Sequence, residues 1–183
     1  MVHQQEEIIE QTLVLIKPDG LAKSLTGNII SSLSETGLKI VGAKVVKVSR
    51  ELAEEHYHEL RSAKGDEIFE EVLKYIQGHY HTNRVIALVY QGENAIQKVR
   101  CLAGETNPEN AVCTTIRGKY GRIHSQTGVF ENVMHCSDSP ESAEREIKLW
   151  FNPWQITEVM FPVEERKIEI DEVVWKSHNK KGE

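Results

Sequence analysis

The stretch VFENVMHCSDSPESAERE, Val129 to Glu146, runs from a strand-like segment straight into the start of a helix, with one histidine between them. VFENVMHCS is read as a strand. Ser139 is a good N-cap, Pro140 suits the first helical position, and Glu141 and Glu144 lie near the positive end of the macrodipole, so SPESAEREIKLWF is read as a helix. Its apolar stripe is Ala143, Ile147, Trp150 and Phe151. At about 100° per residue, Glu146 falls between Trp150 and Leu149, on the shoulder of the inward side, where a carboxylate needs a partner. His135 in the preceding segment offers an imidazole N–H. That pairing would orient the ring and leave its other nitrogen free as acceptor or nucleophile. A structural histidine and a structural glutamate are the alternative reading of the same two residues.

Outward from this unit the same signals repeat. TLVLIK (Thr12–Lys17) is a short strand halted by PDG, whose Pro18 and Gly20 are turn residues. Leu21 to Thr36 has helical spacing of apolar residues, with Gly37 where a C-terminal cap would stand. LKIVGAKVVKVS is a strand, SRELAEEHYHEL and DEIFEEVLKYIQ are short helices, RVIALVYQ is a buried strand and ENAIQKVRCLAG a helix. Glu105 to Gly128 is a long turn-rich stretch without a clean period, which in a compact domain is either functional or disordered. The order β-α-β-(αα)-β-α-loop-β-α predicts an α+β fold of the ferredoxin-like, split βαβ plan: a four-stranded antiparallel sheet with helices against one face. Residues 152–183 mix apolar, alternating and polar segments, and are expected to dock on their own or a neighbouring subunit and fray at the end.

With 183 residues, 39% of them hydrophobic, the chain can bury one sizeable core, and a single domain over 1–183 is expected. A net charge of −6 argues against a protein that coats nucleic acid or an anionic membrane, so neither is an expected partner. Cys101, Cys113 and Cys136 make an odd count without CxxC spacing, which fits free thiols in the cytoplasm better than disulfides or structural zinc. MVHQQEEIIEQ is acidic, and the longest apolar runs are strand-sized, so no signal peptide and no transmembrane helix are expected.

Lys17 before PDG, Arg100, Thr106 in GETNP and Arg117 in TTIRG all lie at element ends or in the long loop, where functional groups are displayed. Two arginines and a lysine that converge in an acidic protein would form a phosphate clamp, because guanidinium forks match phosphate oxygens and lysine acts as a point charge. If they do not converge, they are surface ion pairs.

Five strings in this order carry a resemblance: IKPDG (16–20), EEHY (54–57), GETNP (104–108), TIRG (115–118) and NVMHCSDSPESAEREIKLWF (132–151). Together they resemble the nucleoside diphosphate kinase family over roughly residues 11–151, which leaves 152–183 as a C-terminal extension. The resemblance implies a ferredoxin-like fold and a ping-pong reaction. In it ATP or another nucleoside triphosphate phosphorylates a histidine, which passes the phosphoryl group to a nucleoside diphosphate and so supplies GTP, CTP, UTP and deoxynucleotides. It makes His135 the phosphorylated nucleophile, at its pros nitrogen, and Glu146 the carboxylate holding the other ring nitrogen. It makes Lys17, Arg100, Thr106, Arg117 and Asn132 phosphate and sugar ligands, places Tyr57 beside the histidine, and has Ser137 support Glu146. The aromatic that stacks on the base aligns with Ile68, with Phe69 adjacent. Mg2+ is the implied cofactor, bridging phosphate oxygens with no dedicated protein cage. A homo-oligomer is implied, of a size the sequence leaves open. The chain departs from the family pattern by extra residues between Tyr57 and Phe69, around GHYHTNR (78–84) and between Arg117 and Asn132, and by Thr114 and Cys136 where the family usually has glycine.

Rival readings fare less well. GLAKS (20–24) resembles a P-loop, but GxxxxGK[ST] requires glycine where Ala22 and Lys17 stand. His79 and His81 in GHYHT would share one face of a strand, yet no carboxylate or third histidine follows at ligand spacing. Cys136, next to His135 in a strand, points to the opposite face and is read as a buried or free thiol. A catalytically silent domain of this fold, acting as a binding or scaffolding module, would lose the histidine or a clamp residue. Here Lys17, Tyr57, Arg100, Thr106, Arg117, Asn132, His135 and Glu146 are all present, which favours activity.

Overall fold

Leu13, Val14, Leu15 and Ile16 at the end of β1 (Ile9–Ile16) are all fully buried, and since successive strand residues point to opposite sides, this strand is covered on both faces. The computed structural model describes residues 8–167. After β1 come α1 (Pro18–Ala22), α2 (Thr26–Ser34), β2 (Lys39–Val46), α3 (Arg50–His56), α4 (His58–Lys64), α5 (Asp66–Ile76), β3 (Val85–Glu93) and α6 (Ala95–Ala103). There follow α7 (Ile116–Tyr120), β4 (Arg122–Ile123), β5 (Phe130–Glu131), β6 (Met134–Cys136), α8 (Pro140–Trp150) and a 3-10 turn, Pro153–Gln155. The main sheet has the order β2-β3-β1-β6, with every neighbouring pair antiparallel. β1 and β2 are therefore parallel with β3 inserted between them, and β3 and β6 parallel with β1 between them, which is the split βαβ arrangement read from the element order.

Helices cover both faces, not one as expected. Leu13, Leu15, Val41, Ala87 and Val89 pack with Ala53, Leu73, Ile147 and Trp150 of α3, α5 and α8. Val14, Ile16, Leu88 and Tyr90 pack with Ile29, Leu33, Val99 and Ala103 of α2 and α6. The near-continuous apolar run of β1 is the signature of a strand buried on two sides.

Boundaries differ where one residue type carries two signals. Pro18 and Asp19 end the strand, but they also form the first turn of α1, since proline is favoured at N1. The helix expected over Leu21–Thr36 is broken between α1 and α2, where Ser24 takes φ +57. The first helix after β2 breaks at Tyr57 into α3 and α4. The long loop holds α7, capped by Thr115, whose side chain accepts from Gly118 N, and β4, which pairs with β5 just beyond it in a small hairpin. VFENVMHCS is two strands, interrupted at Asn132–Val133. Beyond α8, Ile156 and Phe161 pack against the core, and Thr157 donates through N and Oγ1 to Val41 O at 2.8 and 3.1 Å. The expected tail segments from Ile168 onward lie outside the described residues, and among those described no helix is long and apolar enough to cross a membrane.

Candidate functional site

His135 sits on a three-residue strand opposite Leu15 of β1, so its ring faces α3 and α8, while Cys136 points into the core on the other face. The His135 Nε2–H donates to Glu146 Oε2 at 2.9 Å, which leaves Nδ1 as an acceptor. Ser137 Oγ donates to the same carboxylate oxygen at 2.8 Å and accepts from Leu13 N at 3.1 Å, tying the pair to the central strand. Glu146 is 4% exposed. Burial pushes its carboxyl up, but the pairing with His135 and the hydrogen bond of Ser137 outweigh this and hold it below the usual value.

The turn before His135 is strained. Val133 has φ +60, a conformation in which a β-branched residue is an outlier. It is clamped from both sides: its carbonyl accepts from Lys17 N at 2.9 Å, and its N–H donates to Asp19 Oδ2 at 3.2 Å. Asp19, fully buried, also accepts from the Tyr75 hydroxyl. Gly20 permits this approach, because a Cβ there would lie 2.9 Å from Val133 O. The kink aims Asn132, whose Oδ1 accepts from Lys17 Nζ at 2.8 Å and whose Nδ2 donates to Thr106 O at 2.8 Å, pinning the long loop to the site.

The cations converge. Burial, followed by the charge of Arg117, lowers Lys17 to about 8. Arg117 is itself buried, which depresses its pKa, and it feels Arg100 as a like charge. Its guanidinium donates to Gly104 O at 2.8 Å and Met134 O at 3.2 Å, and its Nε has no partner among the described residues. Arg100 and Thr106 are exposed at the end of α6 and in the loop beyond it. The Tyr57 hydroxyl is buried without a hydrogen-bond partner among the described residues, and burial and the Glu146 charge hold its proton on. Beside it, a cavity of about 280 Å3 is lined by His56, Tyr57, Leu60, Ala63, Arg145 and Glu146. A larger one of about 590 Å3 runs along α6 past Arg100, Glu105 and Val112, and Asp138 borders both. The two candidates for the base platform part company: Ile68 is exposed, whereas Phe69 is 3% exposed in the core with the Arg61 guanidinium over its ring. Phe69 is thus withdrawn from any ligand that approaches from solvent.

Two residues at the site went unread in the sequence. Asp19 lay inside the quoted IKPDG, and nothing in its spacing announced a link to Val133. His56 lay inside EEHY; it is buried, and its ring stands edge-on to that of His135 with centroids 4.5 Å apart. Adjacency to Tyr57 was its one available signal. Among the described residues, His56, His135 and Glu146 form the one group of three possible metal ligands whose atoms lie within 4.8 Å of one another. Trp150 Nε1–H donates to His56 Nδ1 at 3.2 Å, so the His56 proton is on Nε2, and that nitrogen has no lone pair for an ion. GHYHT is not a strand; His81 instead meets the buried carboxylate of Glu131 at 2.7 Å, a partner distant in sequence.

Comparison with known proteins gives one answer. A family model described as Nucleoside diphosphate kinase matches residues 10–156. The nucleoside diphosphate kinase of Pyrococcus furiosus is 46% identical over 150 residues, 82% of this chain and 88% of that protein. That of Brevibacillus brevis is 44% identical over 148 residues, 81% and 92% of the two chains. Among solved structures, a Borrelia burgdorferi nucleoside-diphosphate kinase, a transition state mimic with bound vanadate and ADP, aligns with TM-score 0.74 at 31% identity, covering 84% of this chain and 93% of that one. The Aquifex aeolicus nucleoside diphosphate kinase aligns with TM-score 0.70 at 32% identity over 81% and 99%.

Proposed function

The chain belongs to the nucleoside diphosphate kinase family, a family of nucleotide-binding phosphotransferases, and from that premise we propose how its own residues divide the work. His135 is the phosphoryl carrier, and the single observation that carries this is the Nε2–H to Glu146 bond, which leaves the Nδ1 lone pair unengaged. That lone pair forms a bond to the γ-phosphorus of a nucleoside triphosphate as the bond to the bridging oxygen breaks and the nucleoside diphosphate leaves. The ring becomes cationic, keeps its Nε2 proton, and is stabilised by the Glu146 carboxylate, which Ser137 holds in place. In the second half-reaction a terminal phosphate oxygen of an acceptor diphosphate attacks the same phosphorus, and His135 departs neutral.

Lys17, Arg100 and Arg117 meet the phosphates, where their charges offset those of the nucleotide in a partly desolvated cleft. Thr106 and Asn132 position phosphate and sugar, and the Tyr57 hydroxyl is a donor beside the transferred group. Ile68 is the base contact; an aliphatic side chain there cannot separate purine from pyrimidine by hydrogen bonding. The buried carboxylates beside Lys17 and His135 are already engaged, Asp19 by Tyr75 and Val133 and Glu146 by His135 and Ser137, and Asp138 at the border of both cavities is one exposed carboxylate, not a cage. Mg2+ would therefore arrive on the nucleotide phosphates and would supply charge neutralisation there. A single domain with its core over about 11–151, cytoplasmic and self-associating, completes the reading.

The test is to incubate the protein with labelled Mg-ATP and no acceptor, then divide the sample between acid and alkali. A P–N bond on His135 is lost in acid and survives alkali. Acid-stable label, or label outside the tryptic peptide with His135, would overturn the assignment.

A further inference from the structure

We infer that His56 is a positioning residue for His135: its ring, fixed in one tautomer by Trp150, holds the imidazole of the phosphoryl carrier in the orientation that presents Nδ1. The inference rests on the proposed role of His135. The hydrogen bond at Nε2 opposes a half-turn of the ring, because the rotation about Cβ–Cγ that replaces Nδ1 by a carbon also withdraws Nε2 from Glu146, but it leaves smaller rocking about the same bond, which displaces Nδ1 at the reacting position. His135 is in special need of restraint, since its side chain is 20% exposed and it follows the strained Val133 on a strand of three residues. The His56 ring stands beside it at 4.5 Å between centroids and 80° between planes, occupying the space into which it would turn.

His56 is itself held. Trp150 is buried, and its indole N–H donates to His56 Nδ1 at 3.2 Å, with the two rings edge-to-face at 5.5 Å. Trp150 stands four residues after Glu146 on α8, one turn along the same face. One helix thus supplies both restraints, a carboxylate to the Nε2 end of His135 and an indole to the residue at its side. Burial, reinforced by the repulsion a second imidazolium beside His135 would meet and by the neighbouring cations Lys17 and Arg145, keeps His56 neutral, so it adds no charge that would oppose the developing cation on His135. The requirement for histidine at position 56 follows: phenylalanine would leave the Trp150 N–H without an acceptor.

The test uses the double variant His56→Phe/Trp150→Phe, which removes donor and acceptor together and keeps two rings. Three quantities are read: Mg-ATP affinity, the single-turnover rate of self-phosphorylation, and the 15N shifts of the His135 ring in the nucleotide-free protein. The expected result is affinity within about twofold of wild type and phosphorylation slower by the order of 10- to 100-fold, as for a misplaced reacting group. The His135 ring nitrogen signals should also shift and broaden as the ring rocks, with Nε2 still the protonated nitrogen because Glu146 is intact. If the double variant does not fold, His56→Gln reads the same quantities, since its amide oxygen still accepts from Trp150 but the ring is gone. Wild-type phosphorylation with unchanged His135 shifts, or a loss entirely in affinity, would overturn the inference. Failure to label His135 in the wild type would strike the proposed function instead, and the nucleotide-free shifts would still decide the role of His56.

Discussion

Replacing Glu146 by glutamine separates charge from shape at the point where the site is most constrained. In the native pair Glu146 Oε2 accepts from His135 Nε2 at 2.9 Å and from Ser137 Oγ at 2.8 Å. A glutamine carbonyl at the same place accepts both bonds but carries no charge. A hydrogen bond to a charged group contributes about 1.5–3 kcal/mol and one between neutral groups about 0.5–1.5, so the loss is about 1–2 kcal/mol. The loss falls on the transition state, because the His135 ring becomes cationic only as the P–N bond forms; it corresponds to a rate lower by about 5- to 30-fold. Glu146→Ala goes further, leaving the His135 N–H and Ser137 O–H without their acceptor; about 3–4 kcal/mol, or a few hundredfold, is expected. His135→Ala abolishes transfer. The assay is rapid-quench phosphorylation by Mg-ATP with an alkaline quench, with near-UV circular dichroism as the check on folding. A folded Glu146→Gln protein as inactive as His135→Ala would refute the orienting role and point to obligatory proton transfer through the carboxylate; one with wild-type rate would refute any role for its charge.

Two further outcomes follow from the buried charges. Lys17 is lowered to about 8, so its charge is lost as pH rises through that value, and ADP affinity measured by calorimetry should weaken above pH 8 and not near the ordinary lysine value; flat affinity to pH 10 would sink this. The stability linkage has the opposite sign: the desolvated cation opposes folding below pH 8, and this penalty is relieved as pH rises from about 8 toward 10.5. Asp19→Ala strands the Tyr75 hydroxyl and the Val133 N–H and should cost about 2–5 kcal/mol in urea unfolding. It should also slow phosphorylation, as the turn that carries Asn132 and His135 relaxes; full activity would show that the Val133 turn holds without its clamp.

The parts of this protein legible in its sequence are those set by local rules. Strand order, the Ser139–Pro140 start of α8 and the pairing of Glu146 with His135 all follow from periodicity, capping and helix geometry. The cations could be named but not joined, because whether Lys17, Arg100 and Arg117 converge depends on how β1, α6 and α7 meet. The two-sided burial of the sheet is present in the unbroken apolar run of β1, but the analogy with the element order points to one covered face instead. Asp19 and His56 were opaque for a physical reason: each acts through long-range contacts, Asp19 to Tyr75 and Val133 and His56 to His135 and Trp150, which no spacing within its own segment encodes. The same holds for Glu131, a buried carboxylate whose partners His81 and Arg122 come from two different insertions.

The buried residues of the site share a property that links the fold to its chemistry. Lys17 is a desolvated cation, Val133 a β-branched residue at positive φ, Glu146 a buried carboxylate, and Tyr57 Oη, Arg117 Nε and His56 Nε2 are buried polar atoms without partners. Each placement is unfavourable alone, and a core that packs on both faces of the sheet is what makes their sum tolerable. They also lie together, around the one strand that carries His135. A polyphosphate brings negative charge to the cations and acceptor oxygens to the donors, so it relieves the costs that folding leaves there. Affinity and local destabilisation are then two readings of one free energy, because whatever binds only the folded chain stabilises it in proportion to how tightly it binds. A mutation that makes the empty site comfortable, such as an apolar residue at position 17, would for the same reason weaken the grip on phosphate.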